Sequence, residues 1–402
     1  MANYVVDPTD PTQPTNSRGA KQGAEELRAL KGLVQTLIGG GPATPINLFR
    51  KNAIIGGNFD INPWQRGVQF IGIANNSYTA DRWKHFHTGT MIEDITRAGD
   101  APLLNAALKN KTVSDPGINC FQSNVTTAQA VLGAADFSRE IQYIEGYNFL
   151  SFYQIPTVLS FWHKHTKPGI YCVALRNSVA DRSYIAEYTQ VAGETWEFEQ
   201  ILIPAQPAGG TWSFINGIGL EISFCKGCGI TPQTPAGVWI NGNFLSSANQ
   251  VNSLDTIGNK FRIAFVQFER GLGASSFERR SLQEELLFCQ RYYWKTFNQG
   301  TTPAQATGLT TGTFQYAVVV AAANRNGVYV QHPVIMRAAP AIITYNTNNA
   351  NALWRNLSLV ADSGAAVVNN AGDHGFLLTN AQVAGDAVGN LCAIHLTADA
   401  EL

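Results

Sequence analysis

Charge is what this chain has least of. Asp, Glu, Lys and Arg make up 14% of its 402 residues, against about 25% in an ordinary soluble domain. The charges nearly cancel, to a net −1, so there is no electrostatic footprint for nucleic acid. No run of Lys and Arg marks a membrane surface. No apolar stretch approaches the roughly 18 residues that would cross a bilayer, so no membrane insertion is expected. The opening segment, Met1-Ala2-Asn3-Tyr4-Val5-Val6-Asp7-Pro8, has neither a basic n-region nor an apolar core and is not expected to be a secretory leader. Six scattered cysteines make no disulfide framework. Only Cys225 and Cys228 lie close together. A zinc knuckle needs a second pair, and a redox pair of this spacing usually opens a helix, whereas this one ends an apparent strand.

Catalytic signatures are missing too. There is no Gly-x-Ser-x-Gly elbow, no P-loop, no His-Glu-x-x-His and no Gly-x-Gly-x-x-Gly after a strand. Glycan-cleaving enzymes need paired carboxylates on a rigid groove. Asp181, Glu187, Glu197 and Glu199 are near one another in sequence but read as residues of wet strand faces. The chain is expected not to be an enzyme and to need no cofactor.

What is present is apolar and β-rich. Apolar residues reach 45%, enough for a full core, and the length suits two or three domains. Asn, Thr, Gln and Gly fill the place of charge, which fits extensive subunit contact.

Residues 1–41 read as an arm and a helix. The run Asp7-Pro8-Thr9-Asp10-Pro11-Thr12-Gln13-Pro14-Thr15 is held extended by Pro8, Pro11 and Pro14 and reads as a segment that orders on a partner. Ala20, Gly23, Leu27, Leu30, Val34 and Leu37 then alternate spacings of three and four, the a/d seam of a coiled coil. So short a helix is marginal alone, so Leu27, Leu30, Val34 and Leu37 are expected to meet the same seam of other subunits. Gly39-Gly40-Gly41-Pro42 ends it.

Residues 42–296 read as a central jelly-roll-like β-sandwich. Leu220, Ile222 and Phe224 alternate with Glu221 and Ser223, and Trp196 and Phe198 alternate with Glu197 and Glu199, the period of half-buried strands with one wet face. Phe261–Phe268 is apolar on both faces and reads as a central strand. Lys167-Pro168-Gly169, Ala208-Gly209-Gly210 and Ile257-Gly258-Asn259 are turns. A closing helix is expected near 281–295, with Ser281 and Glu284 as a capping box and Leu282, Leu286, Cys289 and Tyr293 on one face. Residues 297–402 read as a small C-terminal β-sandwich, with strands at 314–320, 327–330, 341–345, 375–378 and 391–396.

The candidate binding residues are aromatic. Of the eight tryptophans, Trp64, Trp83, Trp162 and Trp196 lie in patterned segments and read as core. Trp212 follows Gly209-Gly210-Thr211 and Trp239 sits among Gly and Pro. Loop placement makes these two the candidates for stacking a sugar ring. Two pairs, His85-Phe86-His87 and His163-Lys164-His165, each put two imidazoles on one strand face and would converge into a metal set only if their strands were neighbours; no metal site is expected.

Ordered motifs resemble phage tail fibre proteins. Phe277-Glu278-Arg279-Arg280, Glu284-Glu285-Leu286 and Cys289-Gln290-Arg291-Tyr292-Tyr293 are similar to a block of that family. Asn58-Phe59-Asp60, Trp64-Gln65-Arg66-Gly67 and Tyr78-Thr79-Ala80-Asp81-Arg82-Trp83 are similar to its opening motif. The resemblance covers about 240 residues, from roughly Asn52 to Tyr293. It implies a homotrimeric virion protein with a carbohydrate-binding-module-like sandwich. Pro8, Pro11 and Pro14 would dock on other virion proteins of the tail, baseplate or portal-proximal region, and the sandwiches would meet host-surface polysaccharide. Localisation would be the phage particle, after assembly in the host cytoplasm. A head, collar or baseplate decoration fibre and a secreted bacterial carbohydrate-binding module are the alternatives.

Overall fold

The computed structural model describes residues 51–102, 107–108, 111–112, 117–319 and 325–402. The expected arm (Pro8, Pro11, Pro14) and the expected seam (Leu27, Leu30, Val34, Leu37) lie outside the described residues. Two units are distinguished, Met1–Lys51 and Asn52–Leu402; all that follows concerns the second.

Two antiparallel sheets face each other. The strands in chain order are β1 (Gln69–Phe70), β2 (Ser77–Tyr78), β3 (Trp83–Thr88), β4 (Ile92–Ala98), the short ribbon β5 (Ala107–Leu108) and β6 (Lys111–Thr112), β7 (Cys120–Thr127), β8 (Phe137–Glu145), β9 (Thr157–His163), β10 (Gly169–Arg176), β11 (Arg182–Gln190), β12 (Glu197–Ile203), β13 (Ile218–Cys228), β14 (Trp239–Asn241) and β15 (Lys260–Arg270). One sheet runs β1-β4-β7-β15-β9-β12 and the other β14-β11-β10-β13-β8-β3-β2. Their inner faces interlock through aromatic rings. Phe161 of the first sheet meets Tyr188 and Phe224 of the second, each at 5.1 Å and edge-on, the geometry that ring quadrupoles favour. Trp83 meets Phe121 at 6.1 Å. Trp64, Trp83, Trp162 and Trp196 are all buried, as their segments indicated.

The alternation Trp196/Phe198 against Glu197/Glu199 is inverted in the structure. Ile201 and Ile203 join the core between the sheets, while Trp162, Trp196 and Phe198 pack together on the outer face with Phe265 and Phe277. Glu197 is buried, and its carboxylate accepts the Val191 and Ala192 amides at 3.0 and 2.9 Å. Nor is the Glu221/Ser223 face wet. Glu221 is buried because Arg176 and Arg139 both pair with it.

The closing helix spans Leu282–Gln290 and is capped as expected, with Ser281 N donating to Glu284 at 2.8 Å and Glu284 N to Ser281 Oγ at 3.2 Å. It is shorter than expected, since Tyr293–Lys295 is a strand, β16. Its buried face carries Glu285 and Cys289, whereas Leu282 is exposed. Glu285 is drawn inward because it accepts the Gly56 amide and pairs with Arg280 at 3.4 Å.

β16 begins an eight-stranded C-terminal sheet with β17 (Phe314–Ala317), β18 (Arg325–Gln331), β19 (Ala341–Tyr345), β20 (Leu353–Asn356), β21 (Ala361–Asn369), β22 (Gly375–Ala381) and β23 (Leu391–Asp399). The small sandwich anticipated here takes the form of one branched sheet. β23 is its axis, pairing with β17 and β20 along its first half and with β16 and β19 along its second. Trp294, Trp354, Phe376, Leu378, Ile394 and Leu396 fill its core.

A buried polar network crosses between the two facing sheets. Lys226 of β13 donates to Glu140 of β8 at 2.6 Å and pairs with Glu93 of β4 at 2.7 Å. Glu93 also accepts the Ser123 and Ser138 hydroxyls, and His85 lies 2.8 Å from Glu140. Burial by itself would raise the Glu93 carboxyl; Lys226, then His85, outweigh it and bring it down to about 2. A carboxylate depressed on folding contributes stability above its unfolded value, about 4.5, and that contribution is lost as pH falls towards 2. Melting temperature is therefore expected to fall through this window. Glu93→Gln should flatten the slope there, and an unchanged slope would separate the network from acid sensitivity.

Candidate functional site

The two tryptophans singled out from sequence come together. Trp212 lies on the connection between β12 and β13, and Trp239 heads the edge strand β14 rather than a loop. Their rings are 6.0 Å apart at 72°. Trp212 stacks on buried Phe149 at 5.2 Å, and Trp239 leans on Tyr184 of β11 at 5.4 Å. Tyr153 and Phe214 complete an aromatic patch at one edge of the sandwich, where Tyr153, Trp212, Phe214 and Trp239 are all half-buried.

Local chemistry holds this patch in place. Gly146 and Tyr147 donate backbone hydrogen bonds to Gly217 and Ile215 across the β12–β13 connection. A Cβ on Gly146 would come within 2.6 Å of the Ile215 and Ser213 carbonyls, so only glycine lets the two segments approach. Thr211 is tied to the β10–β11 turn. Its hydroxyl donates to Asp181 at 2.8 Å, and its carbonyl accepts from Asn177 at 2.9 Å and Ser178 at 2.7 Å. Both indole N–H groups are spent on backbone carbonyls, Trp212 on Gly209 and Trp239 on Pro204, each at 2.9 Å. The rings are therefore fixed as surfaces for stacking and are not donors to a ligand. Rigid aromatics in place before binding lower its entropic cost. Among the described residues, the hydroxyls of half-buried Tyr153 and of Tyr184, whose ring is buried in the core, make no hydrogen bond within the chain.

The histidine pairs do not converge. His85 and His87 lie on β3 of one sheet, His163 and His165 at β9 of the other, and β3 and β9 are not neighbours. His85 bonds to Glu140 and to His87 at 2.9 Å, His163 to Gln190 at 2.9 Å and His165 to Tyr188 at 3.0 Å. Cys225 and Cys228 end β13, both buried thiols. Among the carboxylates, Asp181 secures Thr211 and Asn177, and Glu187 accepts from Asn249 at 3.0 Å.

The sequence motifs at the two ends of the sandwich meet in one clamp. Gln65 donates to the Tyr293 carbonyl at 2.8 Å. The Arg66 guanidinium lies 3.6 Å from the Tyr293 ring and that of Arg82 3.5 Å from Tyr292. Glu401 pairs with both arginines, and Arg291 and the Tyr292 hydroxyl reach Glu145, each at 2.6 Å. Arg280 donates to the Asn52 and Ile54 carbonyls and Glu278 accepts the Asn52 amide, which pins the entry to the sandwich. These motif residues join the sandwich to the C-terminal sheet.

No protein-family model matches the chain. No curated protein matches it. Solved structures similar to it include the enzymatically active domain of tailspike protein 4 of bacteriophage CBA120, at 16% identity and a TM-score of 0.29, covering 55% of this chain and 21% of that one. A family 61 carbohydrate-binding module in complex with β-1,4-galactotriose gives 11% identity and a TM-score of 0.27 over 55% of this chain and all of its own. A family 11 module from Clostridium thermocellum, in complex with a β-1,3-1,4-mixed-linked tetrasaccharide, gives 10%, 0.26, 52% and 99%. The chain thus spans about a fifth of the tailspike chain that it matches.

Proposed function

We propose that the chain is a phage fibre subunit whose sandwich binds glycan at the host surface through the Trp212–Trp239 patch. One observation carries the glycan reading. Two half-buried indoles from separate segments meet at one edge, with both N–H groups tied down and two tyrosine hydroxyls left over. A sugar presents a C–H face to a π surface and hydroxyls to polar neighbours, and this patch offers both. The virion role, with residues 1–41 docking the fibre and bundling three chains, rests on the motif resemblance. In that arrangement three weak sites on one rod gain avidity without a tight individual contact. The reading is of a binding protein, and release of reducing ends from host polysaccharide would overturn it.

The test uses the full chain. Trp212→Ala with Trp239→Ala should lower binding to immobilised host-surface polysaccharide by more than about tenfold, since stacked aromatics dominate such contacts. Far-ultraviolet circular dichroism and an unchanged cooperative melt should report an intact fold. Undiminished binding would remove the patch from the function. Light scattering should give a trimer, and a monomer at micromolar concentration would remove the bundle.

A further inference from the structure

Arg182 is the feature of this edge that packing does not explain. It opens β11, two residues before Tyr184 and so on the same strand face, and stands opposite Asn241 as Tyr184 stands opposite Trp239. Its side chain is half-buried. Its Nε is sealed from solvent with no hydrogen-bond partner. Among the described residues, its guanidinium makes no hydrogen bond and no ion pair. Every other arginine with a described side chain is paired, stacked on a ring or exposed. The adjacent carboxylate, Asp181, spends its hydrogen bonds on Thr211 and Asn177 and meets Arg182 only through its field, with no direct pairing. The guanidinium borders the turn that carries the stacking surface. A Cβ on Gly209 would lie 3.2 Å from an Arg182 terminal nitrogen, and the Gly209 carbonyl holds the Trp212 indole N–H.

A partly desolvated cation without a partner is costly, and a half-buried position is kept at such a cost where an anion arrives to complete it. The planar guanidinium fork matches a carboxylate. We infer that the Trp212–Trp239 site takes an acidic saccharide, with a uronic or ulosonic acid residue whose carboxylate pairs with Arg182 while a neighbouring ring stacks on the indoles. This inference rests on the glycan reading and adds the charge of the ligand.

The experiment is a glycan array probed with the full chain, holding uronate- and sialate-bearing glycans, their carboxyl-reduced counterparts, sulfated glycans and neutral glycans. The expected result is retention on carboxylated glycans, weakened by carboxyl reduction and by salt. Arg182→Gln should lower that retention roughly 10- to 100-fold, the range for a charge-assisted hydrogen bond. Arg182→Lys, which keeps the charge and loses the fork, should recover only part of it. The carboxyl-reduced comparison uses the unaltered protein and stands whether or not the variants fold. Retention on neutral or sulfated glycans in preference to carboxylated ones, dependent on Trp212 and indifferent to Arg182, overturns the acidic ligand and leaves glycan binding intact. Retention on none overturns both.

Discussion

Lys226→Met should lower the melting temperature by roughly 6–20 °C. Lys226 is fully buried between the sheets and compensates two buried carboxylates, Glu93 and Glu140. Methionine keeps the apolar stem but not the ammonium and, among the described residues, leaves Glu93 and Glu140 with only His85 and two serine hydroxyls beside them. Removing one partner of a buried ion pair costs about 3–5 kcal/mol, and each kcal/mol is worth about 2–4 °C in a unit of this size. The control is the triple variant Lys226→Met, Glu93→Gln, Glu140→Gln, which removes the stranded charge and should recover much of the loss. Differential scanning calorimetry decides it. A single variant that melts with the parent would mean that the network is bypassed by water or proton uptake.

Arg82→Ala should cost a similar amount and should also change the shape of the transition. Arg82 is buried, stacks on Tyr292, and reaches Glu401 and the Tyr143 carbonyl at once. Burial and Glu401 act in opposite directions on it; Glu401, with the tyrosines, prevails and the guanidinium stays charged. Its loss leaves Glu401 with Arg66 as its remaining partner, at 3.4 Å. Since the clamp couples the sandwich to the C-terminal sheet, calorimetry should show one transition in the parent and two in the variant. A single unshifted transition would show that the two parts are coupled elsewhere, for instance through Arg337, which bonds to Asn216 and Ala400.

The sequence was readable where one element decides its own structure. Phe261–Phe268 is apolar on both faces because β15 lies inside its sheet with both faces covered. Ser281 and Glu284 cap their helix through contacts three residues apart. β19 spans Ala341–Tyr345 as its pattern indicated. Legibility ended where distant strands set the environment. Trp196 and Phe198 carry the apolar period of β12, yet that face is the outer one, because Phe265 and Phe277 arrive to cover it. Nothing near Lys226 announces Glu93 and Glu140, which come from two other strands. Strands β20 and β21 were not visible because Leu353–Asn356 and Ala361–Asn369 hold at least as many polar and small residues as large apolar ones. For the site, glycine-flanked placement picked out Trp212 and Trp239 separately. Their meeting depends on strand order. Arg182 belongs to a stretch, Arg182-Ser183-Tyr184, that resembles the fibre family, but nothing local marks it as unpaired, since that is recognised only once its surroundings are known.

The position of β15 also governs how the molecule is made. It lies between β7 and β9, so the six-stranded sheet stays split until residues 260–270 have been synthesised. Before then β7 and β9 present open edges and uncovered inner faces, including Phe121 and Phe161. Unpaired edges beside bare apolar surface are where nascent chains stick to one another, and pairings this far apart in sequence form slowly. Fragments that stop short of residue 270 should therefore aggregate, and yield of the longer chain should rise with slower synthesis and with available chaperone.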